Sequence, residues 1–255
     1  MAKPLIRLAV MLICLMLPVH LALAGSLHHA SAKKQDTYSM TASAYTPEGR
    51  ARNMTPSAAA VEGFYQAAFD AEFGDTGRDE LIRWQIPLSI FIKGEPVAED
   101  LRVLERLMES LAEVVPGMPG MSFAESEKEA NVVIAFVPFE SMPEYLVNYE
   151  DDNWGYMNCF SDDTTIRYGM IAIASDVTAQ EDRTHLIQEE FVNMLGLTED
   201  IDNIPQSIIY QPYTVTTDLC EEDYEMLSLL YGPYLPYGIS RAEARTALEE
   251  MFSQD

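Results

Sequence analysis

Residues 185–200 read HLIQEEFVNMLGLTED. Ile187, Phe191, Met194 and Leu195 recur at intervals of three and four, which predicts an amphipathic helix over 181–196 with that stripe against a core. On the same helix His185, Glu189 and Asn193 fall along one polar face, while Glu190 lies between Leu186 and Met194 at the margin of the apolar stripe. A carboxylate flanked by apolar residues costs free energy unless it is paired or protonated, so Glu190 is the residue that asks for a reason. Gly196 closes the stretch, and a sharp reversal there favours a residue that tolerates positive φ.

Working outward, Val61, Phe64, Tyr65, Ala68 and Phe69 keep helical spacing from Ser57 onward and run toward Gly74. Residues 82–92 are β-rich, with Pro87 suggesting an edge strand or a bulge. Val97, Leu101, Leu104, Leu107, Met108 and Leu111 predict a helix between Pro96 and Pro116. The run 131–137 is continuously apolar, as in a strand buried on both faces, and 164–175 predicts another strand. Residues 141–163 are polar and turn-rich. Downstream, Asp218 with Glu221 three residues later predicts a capping box that opens a helix through Tyr224, Leu227, Leu230 and Tyr231. The order predicts an α/β (α+β) fold, with a mixed sheet, then the helix of the opening stretch, then a mostly helical C-terminal part.

Aligned on Gly196, the helix resembles the metzincin branch of the zinc peptidases, whose helix and turn read H-E-x-x-H-x-x-G-x-x-H. Glu189 then stands at the first ligand position, Glu190 at the general base, Asn193 at the second ligand and Glu199 at the third. Ser207-Ile208-Ile209-Tyr210 resembles the turn that lies beneath the metal in those enzymes, with Ile209 in place of methionine. The resemblance implies a zincin-like sheet with an active-site-type helix. A nearer likeness, carried by EEFVNMLGLTED, PQSIIYQ, LYGPYLPYGISRAEA and LIRWQIPLSIFIKG, is to the bacterial exported family known as domain of unknown function 2927, over about residues 60–252.

Catalytic zinc takes three protein ligands, mostly imidazole, and leaves a position for water. Beyond residue 29 the chain has a single histidine, His185, so two readings stand side by side. In the first, the protein binds a peptide or another exported protein through a cleft and an edge strand, with no cofactor. In the second, it is a divergent hydrolase in which His185, Glu189 and Glu199 hold zinc and Glu190 is the base. An oxygen set of Glu189, Asn193 and Glu199 would suit calcium or magnesium better than zinc. Phosphate-binding glycine loops and a G-x-S-x-G nucleophile motif are absent from the sequence.

Lys3 and Arg7, an apolar run from Leu8, and Ala22-Leu23-Ala24 predict a signal peptide over 1–24 and export to the periplasm or medium. Pro18 and His20 interrupt that run, which argues against a stable membrane anchor. Residues 25–58 predict a flexible arm and 59–255 a single domain. Loss of the two basic signal residues takes the formal charge from −25 to −27, which disfavours nucleic acid as a partner. Cys159 and Cys220 would remain, either paired by an oxidising compartment or as free thiols.

Overall fold

The computed structural model describes residues 55–69, 79–149 and 152–252. The signal segment, most of the arm and Gly74 lie outside them. Helix α1 (Ala58–Phe69) leads into a six-stranded sheet made of β1 (Arg83–Trp84), β2 (Leu88–Gly94), β3 (Met121–Phe123), β4 (Val132–Val137), β5 (Gly155–Asp162) and β6 (Thr165–Ala174). Helix α2 (Ala98–Val114) crosses between β2 and β3, α3 (Gln180–Met194) follows β6, and α4 (Glu221–Tyr231) and α5 (Arg241–Phe252) complete the chain. The fold is mixed α/β, with a helical C-terminal part after α3.

The main path of the sheet is β1-β6-β4-β2-β3, all parallel, and β5 lies antiparallel along β6 as the outermost strand on that side. Alternation along the strands builds two cores. Ile134, Phe136, Ile171, Ile173, Met157 and Cys159 join the large core with α1 to α4, whereas Ala135, Val137, Ala172, Ala174 and Tyr156 meet Met142 and Leu146 on the other face. The all-apolar run at β4 is thus explained, because both of its faces are covered.

Three expectations are corrected. Residues 82–92 form two strands: Pro87 has no N–H to donate, and at this break the chain leaves β6 and crosses to the far side of β4. The Asn131 side chain spans the break, accepting from Ser89 N (2.7 Å) and donating to Pro87 O (2.9 Å). Strand β2 is not an edge but lies between β3 and β4. The polar stretch 141–163 contains β5, whose buried Asn158 binds the peptide of Val147 through both amide atoms, accepting from its N–H at 2.8 Å and donating to its C=O at 3.2 Å.

The cap of α4 also differs. Its first turn is closed by Asp223, which accepts the Cys220 N–H at 2.9 Å, two residues beyond the expected box. Cys220 at this cap is half-buried and Cys159 on β5 is buried, and both are free thiols. Of the two alternatives the sequence left open, the structure has the free thiols: Cys159 points into the large core, while Cys220 is fixed by the cap at its margin.

Helix α3 is held at both ends. Asp100 ties its start to α2 by accepting from Gln180 Nε2 (2.9 Å) and from Arg183 Nε (3.2 Å) in a buried ion pair. Its last carbonyls are met by Trp84 Nε1 on Met194 O (2.9 Å) and Tyr231 OH on Leu195 O (2.6 Å). Gly196 then takes φ +121°, as the sequence required, and a Cβ there would sit 2.8 Å from Ile82 O.

Candidate functional site

Helix α3 packs on β5 and β6 at unusually close range, because two glycines face it. A Cβ at Gly169 would meet Met194 Sδ at 2.6 Å, and one at Gly155 would meet both Glu190 Oε1 and Leu186 Cδ2 at 2.9 Å. The middle of the helix is buried, including the polar face of His185, Glu189 and Asn193. His185 is 1% exposed, Glu189 8%, and Glu190 and Asn193 0%.

The polar face is covered by the chain after the Ser207–Tyr210 turn. The segment Tyr213–Thr217, here called the strap, runs over α3 outside any helix or strand. His185 donates its Nδ1–H to Thr216 O at 2.7 Å, Gln188 Nε2 donates to Thr217 O, and the Tyr213 hydroxyl donates to Asp182 Oδ1. The Tyr213 ring also stands edge-on to His185, with centroids 5.6 Å apart.

Beneath the strap the electrostatics are those of neutral acids. A carbonyl can only accept, so Nδ1 of His185 carries the proton and Nε2 presents a lone pair to Glu189 Oε2 at 3.4 Å. The pair is not ionic. Burial lowers the His185 pKa, and burial raises Glu189 to about 8, so both are uncharged near neutrality. Glu190 is pushed well above the usual carboxylate range by burial, and the charges of Glu189 and Asp200 add to the push. Both Glu190 oxygens, and both the Oδ1 and Nδ2 atoms of Asn193, are buried without a hydrogen-bond partner.

The turn at 207–210 is anchored from α4. Asp223, buried, accepts from Ser207 Oγ at 2.5 Å and from Ile208 N at 3.1 Å, and Ser207 Oγ in turn accepts from Ile209 N at 3.2 Å. Ile208 and Ile209 are fully buried, while Tyr210 is half-exposed and pairs with Ile201. Glu199 is buried, and its main chain meets the end of α1, the N–H donating to Ala67 O at 3.2 Å.

The structure thus brings His185, Glu189, Glu190 and Asn193 onto one helix. Among the described residues no group of three or more His, Cys, Asp or Glu side chains converges in a form that could hold a metal, and the Nδ1 of His185 is spent on the strap. Spacing missed Asp182, Gln188, Asp200 and the strap. Only the Tyr213 aromatic and the acid beside Glu199 offered any signal for them.

The model of the protein family of unknown function DUF2927 matches residues 57–250, and the chain belongs to that family. Among solved structures it is similar to myroilysin, at 11% identity and a TM-score of 0.37, over 70% of this chain and 97% of that one. A search of curated proteins found no match.

Proposed function

We propose that the protein is an exported module that binds a peptide or another protein on a metallopeptidase-like scaffold, without zinc chemistry. The observation that carries this reading is the state of Glu190. It stands where the resemblance puts a general base, yet it is fully buried beside Gly155 and held protonated by its surroundings. A protonated carboxyl shielded from water cannot take a proton from a hydrolytic water. The strap fills the adjoining face with main-chain carbonyls, so the protein's own chain lies where a substrate would.

A binding role is supported by the sheet edge. Strand β5 is outermost, and an edge strand offers main-chain N–H and C=O groups to an added strand. Export is supported by Lys3, Arg7, the apolar run and Ala22-Leu23-Ala24. Among the described residues no helix is long and apolar enough to cross a membrane.

The deciding experiment is metal analysis and a peptide-cleavage assay on tag-free mature protein. No cleavage, with or without added zinc, is the expected result. Stoichiometric zinc, with cleavage abolished by a chelator and by Glu190→Gln, would replace this reading with the altered-site hydrolase. Mass spectrometry of the exported chain should find Gly25 at its start.

A further inference from the structure

Asp182, His185 and Gln188 recur every third residue along α3 and form one row beneath the strap. Two of the three contacts read main-chain carbonyls, those of Thr216 and Thr217, and the third reads a tyrosine hydroxyl. None uses the side chain of Thr216 or Thr217. Such a row recognises the backbone of an extended chain together with one phenol, and the strap is the chain that now occupies it.

The strap is held lightly. Between Gln211 and Asp218 no residue is buried, and Val215 is 53% exposed. Thr214 and Thr216 bond to each other through their hydroxyls at 3.1 Å, a local contact that would survive release. Below it, the His185 imidazole is 1% exposed and has the Tyr213 ring edge-on to it, so release of the strap would uncover it.

We propose that the row Asp182–His185–Gln188 is a peptide-binding surface that the strap occupies in cis. Its partner is an extended peptide with a tyrosine three residues ahead of two consecutive carbonyls, and this peptide replaces the strap contact for contact. The inference rests on the binding reading above and names the surface and the ligand class. Asp182 takes the incoming phenol, while His185 and Gln188 donate to the two carbonyls. The displaced strap swings out as an exposed loop between Tyr210 and Cys220.

The probe is a fluorescein-labelled peptide of the strap's own sequence, residues 211–219, titrated by anisotropy into full-length mature protein. In the variant Tyr213→Phe the strap loses its hold on Asp182 while the row stays intact. This variant should bind the peptide about fivefold more tightly than the parent, the factor expected for one hydrogen bond removed from the competitor. A peptide with phenylalanine in place of its tyrosine should bind Tyr213→Phe about fivefold more weakly than the tyrosine peptide. Adding Gln188→Met to Tyr213→Phe takes one bond from the peptide and from the strap alike, so binding should stay within about twofold of Tyr213→Phe, with a thermal melt to check folding. Peptide addition should speed amide exchange across 214–218 in the parent.

Equal binding to parent and Tyr213→Phe, or indifference to the peptide's hydroxyl, would overturn the proposal. The peptide comparison decides the matter even if the Gln188 variant fails to fold. Capture of other peptides that is unchanged by Tyr213→Phe and abolished by substitutions on β5 would sink this inference and leave the binding reading standing. Zinc-dependent cleavage of the probe would sink the binding reading itself.

Discussion

The carboxyl of Glu190 rests directly on Gly155 of the outermost strand, so close that a Cβ there would lie 2.9 Å from Oε1. Leu186 Cδ2 sits at the same 2.9 Å, so Gly155 admits both Leu186 and Glu190, one turn apart on α3, onto the sheet. Gly155→Ala should therefore destabilise the fold by about 1–3 kcal/mol through overpacking. Combined with Glu190→Ala, part of the loss should return, because one of the two clashing groups is gone. Denaturant midpoints for the two single variants and the double variant measure the coupling.

Glu190 itself is a neutral acid with two unsatisfied oxygens. Replacing an unpartnered buried polar group with an apolar one of similar shape removes a desolvation cost and leaves no orphaned partner. Glu190→Met should raise stability at pH 7 by about 1–3 kcal/mol. A loss of stability instead would reveal a bonding partner for the carboxyl. The turn at 207–210 takes no bond from Glu190 and is held instead by Asp223.

Stability should fall as the solution turns mildly alkaline. Glu189 has an ordinary value of 4.5 and is raised to about 8 by burial, so between those values the folded state holds a proton that the unfolded state has lost. Its contribution is complete below 4.5 and disappears as pH rises through 8. His185 acts in the opposite sense: its value is lowered from 6.5, so its contribution is present above 6.5 and is lost as pH falls. Between 6.5 and 8 the carboxyls alone set the slope. Over that span Glu189 should cost about 2 kcal/mol, or a fall in Tm of about 4–8 °C. Glu189→Gln should flatten the profile, and calorimetry across that range is the check.

The elements that the sequence made legible are those whose period survives tertiary packing. Helix α2 runs between Pro96 and Pro116 with a regular stripe, and β4 is apolar throughout because both faces are covered. Strand β5 was not legible, since Asn158, Ser161 and Asp162 interrupt its apolar run and Asn158 is buried only because Val147 lies beside it. The site was half legible. Gly196 and the polar face of His185, Glu189 and Asn193 follow from spacing, but the cover over His185 is a threonine-rich segment with no apolar signal. A helix sequence records which residues share a face, and it does not record which distant chain will cover them.

Asp223 offers the sharpest test of how the turn below α3 is held. Its carboxyl accepts from Ser207 Oγ, Ile208 N and Cys220 N, thereby joining the start of α4 to the turn that carries Ile208 and Ile209 into the core. Burial raises its pKa and these three bonds pull it down, with burial the larger effect. Asp223→Ala would leave two backbone donors and one hydroxyl without a partner, and should cost about 2–4 kcal/mol. Asp223→Asn can keep its oxygen on the two backbone N–H groups, which share Oδ2, but sets its NH2 against the Ser207 hydroxyl, which loses its acceptor, so its cost should fall between alanine and the parent. Ser207→Ala removes a donor to Asp223 and the acceptor of Ile209 N, while leaving the other two bonds of Asp223 intact, so about 1–2 kcal/mol is expected. If Asp223 acts through the turn, Ser207→Ala should add little once Asp223→Ala is present, and additive losses in chemical denaturation would show that the two residues stabilise the fold independently.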